Sequence, residues 1–173
     1  SDYPLLGGMS GTSFCVPGYR PQRGENISLP RLAVAANFFE TMEMPILQGR
    51  GLTQQDSDVL LNALAILQSS GWKPPKDFVM PRQAAVINQT MARKYFPNVD
   101  PIGRRFGFSS NCSGRGGFEI VGVVRDAKYG RLKEEIGPTA YTPYVQIPRG
   151  GPNPMTFSVR TAGDPAAMTT AIQ

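Results

Sequence analysis

The sequence predicts an α+β fold, and three stretches predict it. In "SLPRLAVAANFFETMEMPIL" an extended apolar run gives way to a helix-like one. In "AAVINQTMARKYFPNVDPIGRRF" a short apolar strand leads into an amphipathic helix, a Pro/Gly turn and a second strand. Near the C-terminus "MTFSVRT" alternates at a period of two, and "GDPAAMTTAIQ" then opens a helix with Asp164 as cap and Pro165 at its first position.

Taken in order, residues 1–30 are rich in Gly, Pro and Ser, and the first convincing strand is Arg31 to Ala36. Asn37 is positioned to cap a helix from Phe38 to about Met44, with Glu40 at the capping-box position, and Pro45 stops it. "QGRGLTQQDSD" reads as a turn-rich exit. Leu60, Leu64 and Leu67 then recur at i, i+4 and i+7, which predicts an amphipathic helix closing at Gly71 that packs on the core. The segment "GWKPPKDFVMPR" is a tether. Ala84 to Ile87 is a buried strand, and Asn88 caps a helix from Gln89 to about Phe96 with Met91, Ala92, Tyr95 and Phe96 on one face. After the turn at Asp100, Pro101 and Gly103, "RRFGF" and Phe118 to Val124 form two strands joined by the glycine-rich "SSNCSGRGG". "GPTAYTPYVQIP" is extended, punctuated by Pro138, Pro143 and Pro148.

The 173 residues, 40% of them hydrophobic, supply a core for one domain or two small lobes. No apolar run approaches the length of about 20 residues that crosses a bilayer. The chain starts in loop-like sequence and stops within a helical pattern, and so reads as a segment of a longer protein. The net charge of +5 is dispersed, with Arg104 and Arg105 a close basic pair, which argues against nucleic acid as a partner. Histidine is absent, which removes the commonest general base and metal ligand.

Candidate chemistry is sparse. "GRGG" at 114–117 lacks the lysine and hydroxyl residues of a phosphate loop. Asp56 with Asp58, and Glu134 with Glu135, are sequence neighbours of the kind that is usually solvated. Asp126 and Lys128 follow a strand, where catalytic groups can sit, but nothing converges with them. No catalytic, cofactor-binding or metal-binding residues are assigned, and no enzyme activity is expected. Cys15 and Cys112 lie far apart among loop-forming residues and are either joined in a disulfide or two unrelated thiols.

Four motifs carry a resemblance. "ANFFETMEMPILQGRGLTQQD", "AAVINQTMARKYFPNVDPIGRRF", "EIVGVVRDAKYGRLKEEIGPTAYTPY" and "FSVRTAGDPAAM" resemble, in that order, the extracytoplasmic core domain of MacB-like ABC transporter permeases, in particular the orphan-permease branch. The helix at 59–70 and its tether look like an insertion relative to that pattern. The resemblance implies a periplasmic domain of an inner-membrane protein with two lobes. The larger α/β lobe would be built from residues 1–80 and 135–173, and the smaller, mostly β lobe from 81–134. It implies a non-catalytic domain that relays ATP-driven transmembrane motion to export or lipoprotein handling. Its partners would be the transmembrane part of the same permease, a separate cytoplasmic ATPase subunit and an extracytoplasmic protein. The other function weighed is a ligand-binding or sensing module for a peptide, lipid or antibiotic. An extracytoplasmic location also favours the Cys15–Cys112 disulfide. Arg125, Asp126, Lys128 and Tyr129, expected to be exposed at the tip of the small lobe, are the candidate partner contacts.

Overall fold

A computed structural model of the chain describes residues 11–25, 27–108, 117–128, 135–145 and 160–163. Among the described residues seven strands and three helices follow in order: β1 (Gly11–Ser13), β2 (Ser28–Val34), α1 (Phe38–Thr41), β3 (Ile46–Gly49), α2 (Gln54–Ser69), β4 (Gln83–Asn88), α3 (Gln89–Tyr95), β5 (Arg105–Phe106), β6 (Phe118–Val124) and β7 (Ala140–Pro143). All the strands join one mixed sheet in the order β1-β2-β7-β4-β6-β3, with β5 pairing alongside β6. The α+β class expected from the sequence is the one observed.

Alternation along β4 explains how the sheet is covered. Ala85 and Ile87 enter one cluster with Phe14, Leu29, Met91, Tyr95, Phe106, Phe118 and Ile120. Val86, between them, enters the other with Leu32, Val34, Phe39, Leu52, Val124 and Tyr141. Successive strand side chains point to opposite faces, so the sheet is buried on both sides at its centre. Helix α3 closes the first face through Met91 and Tyr95, and α1 closes the second through Phe39. Strands β4 and β6 are parallel with α3 in the crossover between them, and β2 pairs in parallel with β7.

The sheet continues across the division between lobes that the sequence suggested. Strand β4, from 81–134, is hydrogen-bonded to β7, from 135–173, and β7 in turn to β2, from 1–80.

The helices differ from expectation mostly at their ends. Helix α1 is a single turn, and Asn37 makes no side-chain cap bond. Helix α2 begins four residues before Asp58: Thr53 accepts from the Asp56 N–H, and the Asp56 carboxylate accepts from the Thr53 N–H at 2.8 Å, a reciprocal capping box. "TQQDSD" is therefore a helix start and not a turn. At its other end the Trp72 N–H bonds Leu67 O and the Gly71 N–H bonds Gln68 O, the two bonds of a Schellman motif. As expected, α2 packs on the core: Ser57, Leu60 and Ala63 are buried and the helix lies against β4.

Strand β6 carries a bulge at Val121, whose carbonyl accepts the Arg50 N–H at 2.9 Å. A Cβ at Gly122 would stand 2.0 Å from Arg50 O, so β3 can approach this closely only because residue 122 has no side chain. The expected strand at 155–161 and the C-terminal helix opened by Asp164 and Pro165 fall outside the described residues, apart from Arg160 and Thr161.

Candidate functional site

Residues 125–128 leave the end of β6 beside both α1 and α3. The Arg125 N–H donates to Pro45 O at 3.0 Å, which pins this exit to the turn before β3. Arg125 and Lys128 are exposed. Asp126 is not: it is half-buried, and its two carboxylate oxygens accept from the Thr90 N–H and the Thr90 hydroxyl, both at 2.9 Å. The expectation of four exposed contact residues is therefore corrected at Asp126. A carboxylate beside the first turn of α3 finds unpaired N–H groups there, and it holds the helix rather than facing solvent. Tyr129 lies outside the described residues.

Asn88 anchors the opposite side of the same helix. Its Oδ1 accepts from the Met91 N–H and from the Thr139 N–H, and its Nδ2 donates to Gly137 O, each at 2.9 Å. The residue is 1% exposed, and its bonds to the Met91 and Thr139 N–H groups are buried. Sequence reasoning found the cap but not the tie to 137–139.

Of the paired carboxylates weighed from the sequence, Asp56 and Asp58 are occupied. Asp56 receives a two-pronged contact from Arg50 at 2.7 and 3.0 Å. Burial opposes its ionisation, but the Arg50 guanidinium and the Thr53 N–H and hydroxyl outweigh this and hold the carboxyl below the usual range. Asp58 accepts from Gln54 Nε2 at 3.0 Å. Glu135 is exposed, and Glu134 lies outside the described residues.

At the N-terminal edge Glu25 gathers Lys94 at 2.9 Å, the Tyr19 hydroxyl at 2.9 Å and the Gln22 N–H at 3.1 Å. The Lys94 bond, the Gln22 N–H and the Tyr19 hydroxyl together lower the Glu25 pKa. The Tyr19 and Phe14 rings meet Tyr95 edge-on, so the segment before β2 is strapped over α3. Cys15, in the same segment, exchanges backbone hydrogen bonds with Gly107 at 2.8 and 2.9 Å and is disulfide-bonded. Cys112 lies outside the described residues.

Arg31 spreads over the Phe108 and Phe118 rings at 5.2 and 5.3 Å and donates from Nε to the buried Thr142 hydroxyl. An open depression lies between Gln48 and Gly49 on β3 and the turn 98–102. Asp100, the one titratable residue lining it, accepts the Ile102 N–H at 2.9 Å. Among the described residues no group of three or more His, Cys, Asp or Glu stands together as a metal site. Among them, too, no helix is long and apolar enough to cross a membrane.

The sheet is covered on both faces, and the Asn88, Asp126 and Asp56 side chains beside it hold helix ends. Residues 13–173 match the family described as MacB-like periplasmic core domain, and the chain belongs to that family, the extracytoplasmic domain of ABC transporter permeases. No curated protein matches. Solved structures similar to the chain include the periplasmic region of MacB from Actinobacillus actinomycetemcomitans, with 19% identity and a TM-score of 0.50, covering 78% of this chain and 44% of that one. A domain of a putative permease protein from Porphyromonas gingivalis shares 13% identity with a TM-score of 0.52, covering 94% of this chain and 63% of that one. The extracellular domain of the noncanonic ABC-type transporter YknZ from Gram-positive bacteria shares 15% identity with a TM-score of 0.44, covering 81% and 55%. The chain thus spans 44% to 63% of these solved domains.

Proposed function

We propose that this domain passes ATP-driven motion of a permease's membrane helices to the far side of the membrane, and there contacts a partner protein. The observation that carries this reading is the family match over residues 13–173. The fold supports it. Transmission needs a body that moves as a unit, and here strands drawn from distant parts of the chain pair in one sheet buried on both faces. The partners in this reading are the transmembrane part of the same permease, a separate cytoplasmic ATPase subunit and an extracytoplasmic protein. The dispersed +5 charge gives no stripe for nucleic acid. Arg125 and Lys128, exposed beside the exit from β6, and Tyr129 are the proposed contacts with the extracytoplasmic partner. The Cys15 disulfide fits an oxidising compartment, and Cys112 is its proposed partner.

The test is capture of partners from a membrane extract by the full-length parent permease, compared with an Arg125→Glu/Lys128→Glu variant. An ATPase should accompany both forms, and an extracytoplasmic protein should be lost with the variant. Loss of nothing would move the contact away from these residues. No ATPase with either form would sink the transporter reading and turn attention to ligand binding, measured by thermal shift.

A further inference from the structure

Arg31 is a cation held in place without a counter-charge. It stands on β2 opposite Ala140 of β7, on the face of the sheet where Ala140, Ala85 and Phe118 are buried. Its guanidinium carbon lies 5.2 and 5.3 Å from the ring centres of Phe108 and Phe118, and its Nε donates to the Thr142 hydroxyl at 3.2 Å. Arg50, Arg82 and Lys94 each face an acid, whereas among the described residues no carboxylate meets Arg31. Burial lowers its pKa with no acid to oppose the shift, and the group still carries its charge at neutral pH. The residue remains exposed, so a ligand can reach it.

The contacts already made decide what the remaining donors can hold. Thr142 occupies Nε, which closes the side-on approach through Nε and one Nη. The edge formed by the two Nη atoms is left, and its parallel N–H bonds match the two oxygens of a carboxylate. Beside that edge Phe108 is only half-buried and meets Phe118 edge-on at 5.1 Å, which gives an apolar wall.

A second polar group here lacks a partner. Tyr144 stands two residues beyond Thr142, and its N–H bonds Val34 O at 2.9 Å, so it continues the register of β7 and falls on the face of Thr142. Its hydroxyl is buried and makes no hydrogen bond. Buried hydroxyls are nearly always paired in native folds, because an unpaired one is destabilising.

We infer that Arg31 and Tyr144 hold the carboxylate of a small amphiphilic anion whose apolar body lies against Phe108 and Phe118. The two Nη atoms of Arg31 bind both oxygens, and Tyr144 turns its hydroxyl to donate to one of them. Phe118 begins β6 and Arg125 follows its other end, so failure of this site would leave the proposed partner contact as it stands.

Benzoate is the probe, with benzyl alcohol as its uncharged counterpart and acetate and inorganic phosphate as anions without a ring. NMR titration of the 173-residue chain should give benzoate a Kd on the order of 1 mM, as expected for a ligand of its size. Acetate and phosphate should bind at least tenfold more weakly, and benzyl alcohol should leave the Arg31 Nε–H signal unmoved. Arg31→Met should abolish binding, and Arg31→Lys, which keeps the charge but not the fork, should weaken it about tenfold. Tyr144→Phe should also weaken it about tenfold, yet melt no lower than the wild type without ligand, since the hydroxyl it removes has no partner in the fold. Benzoate that fails to bind at tens of millimolar, or that binds equally to Arg31→Met, overturns the proposal. Phosphate as tight as benzoate overturns the assignment to a carboxylate with an apolar body. A Tyr144→Phe variant that melts well below the wild type gives the hydroxyl to the fold and overturns its role in the site.

Discussion

Asn88 shows how much one side chain can hold in this fold. It ends β4, starts α3 and fastens both to 137–139 through three hydrogen bonds at 2.9 Å. Asn88→Ala leaves the buried Met91 and Thr139 N–H groups without their acceptor, whereas the Gly137 carbonyl keeps the Thr139 hydroxyl as a donor. The expected loss is about 3 kcal/mol, combining a lost cap with unpaired buried groups. Asn88→Asp keeps the acceptor for Met91 and Thr139 and loses only the donor to Gly137, so it should cost less. Urea unfolding midpoints of the three proteins check the order, and equal losses for both variants would show that the acceptor is not what matters. The cap was legible in the sequence because an Asn between an apolar strand and an amphipathic run has a local meaning. The tie to Gly137 and Thr139 was not, since it spans 49 and 51 residues. Asp126 failed for the same reason. A carboxylate after a strand reads as exposed until Thr90, 36 residues away, is seen to donate to it twice.

Among elements, those with strong periodicity were read nearly to the residue: β6 spans Phe118–Val124 as expected, and α3 ends at Tyr95, one residue early. The start of α2 was missed because Thr, Gln, Asp and Ser are common to turns and to helix N-termini, and only the Thr53–Asp56 reciprocity separates the two. That box gives α2 a pH dependence. The folded pKa of Asp56 is lowered, so its contribution to stability is fully present above the unfolded value, about 4. The contribution is lost as pH falls through the lower folded value. The domain should thus lose stability between about pH 5 and the acid limit, and Asp56→Asn should flatten that part of the curve. Urea midpoints taken across the range compare the two slopes. Parallel slopes would assign the acid loss elsewhere, with Glu25, also lowered by Lys94, the next group to replace.

For the whole molecule the sequence was least informative, because sheet order is set by pairings between distant segments. Nothing local in "AYTP" says that β7 lies between β2 and β4, parallel to one and antiparallel to the other. The N-terminal strap was hidden too: Phe14 and Val16 are buried, yet they sit in a stretch whose Gly and Pro content reads as loop. That strap carries the last prediction. Its hold on the body comes from the Cys15 bonds to Gly107, the rings around Tyr95, the Glu25–Lys94 pair and the Cys15 disulfide. If Cys112 is the partner, the bond closes a loop running from residue 15 to residue 112, and a cross-link of that span restricts the unfolded state strongly. Removing it by Cys15→Ser/Cys112→Ser should cost about 2–4 kcal/mol. Unreduced peptide mapping should recover one peptide pair joined through the two cysteines, and reductant should lower the wild-type melting temperature toward that of the variant. A variant that melts with the oxidised wild type would mean that aromatic and ionic contacts suffice to hold the strap, and that the disulfide guards the edge of the sheet without stabilising its core.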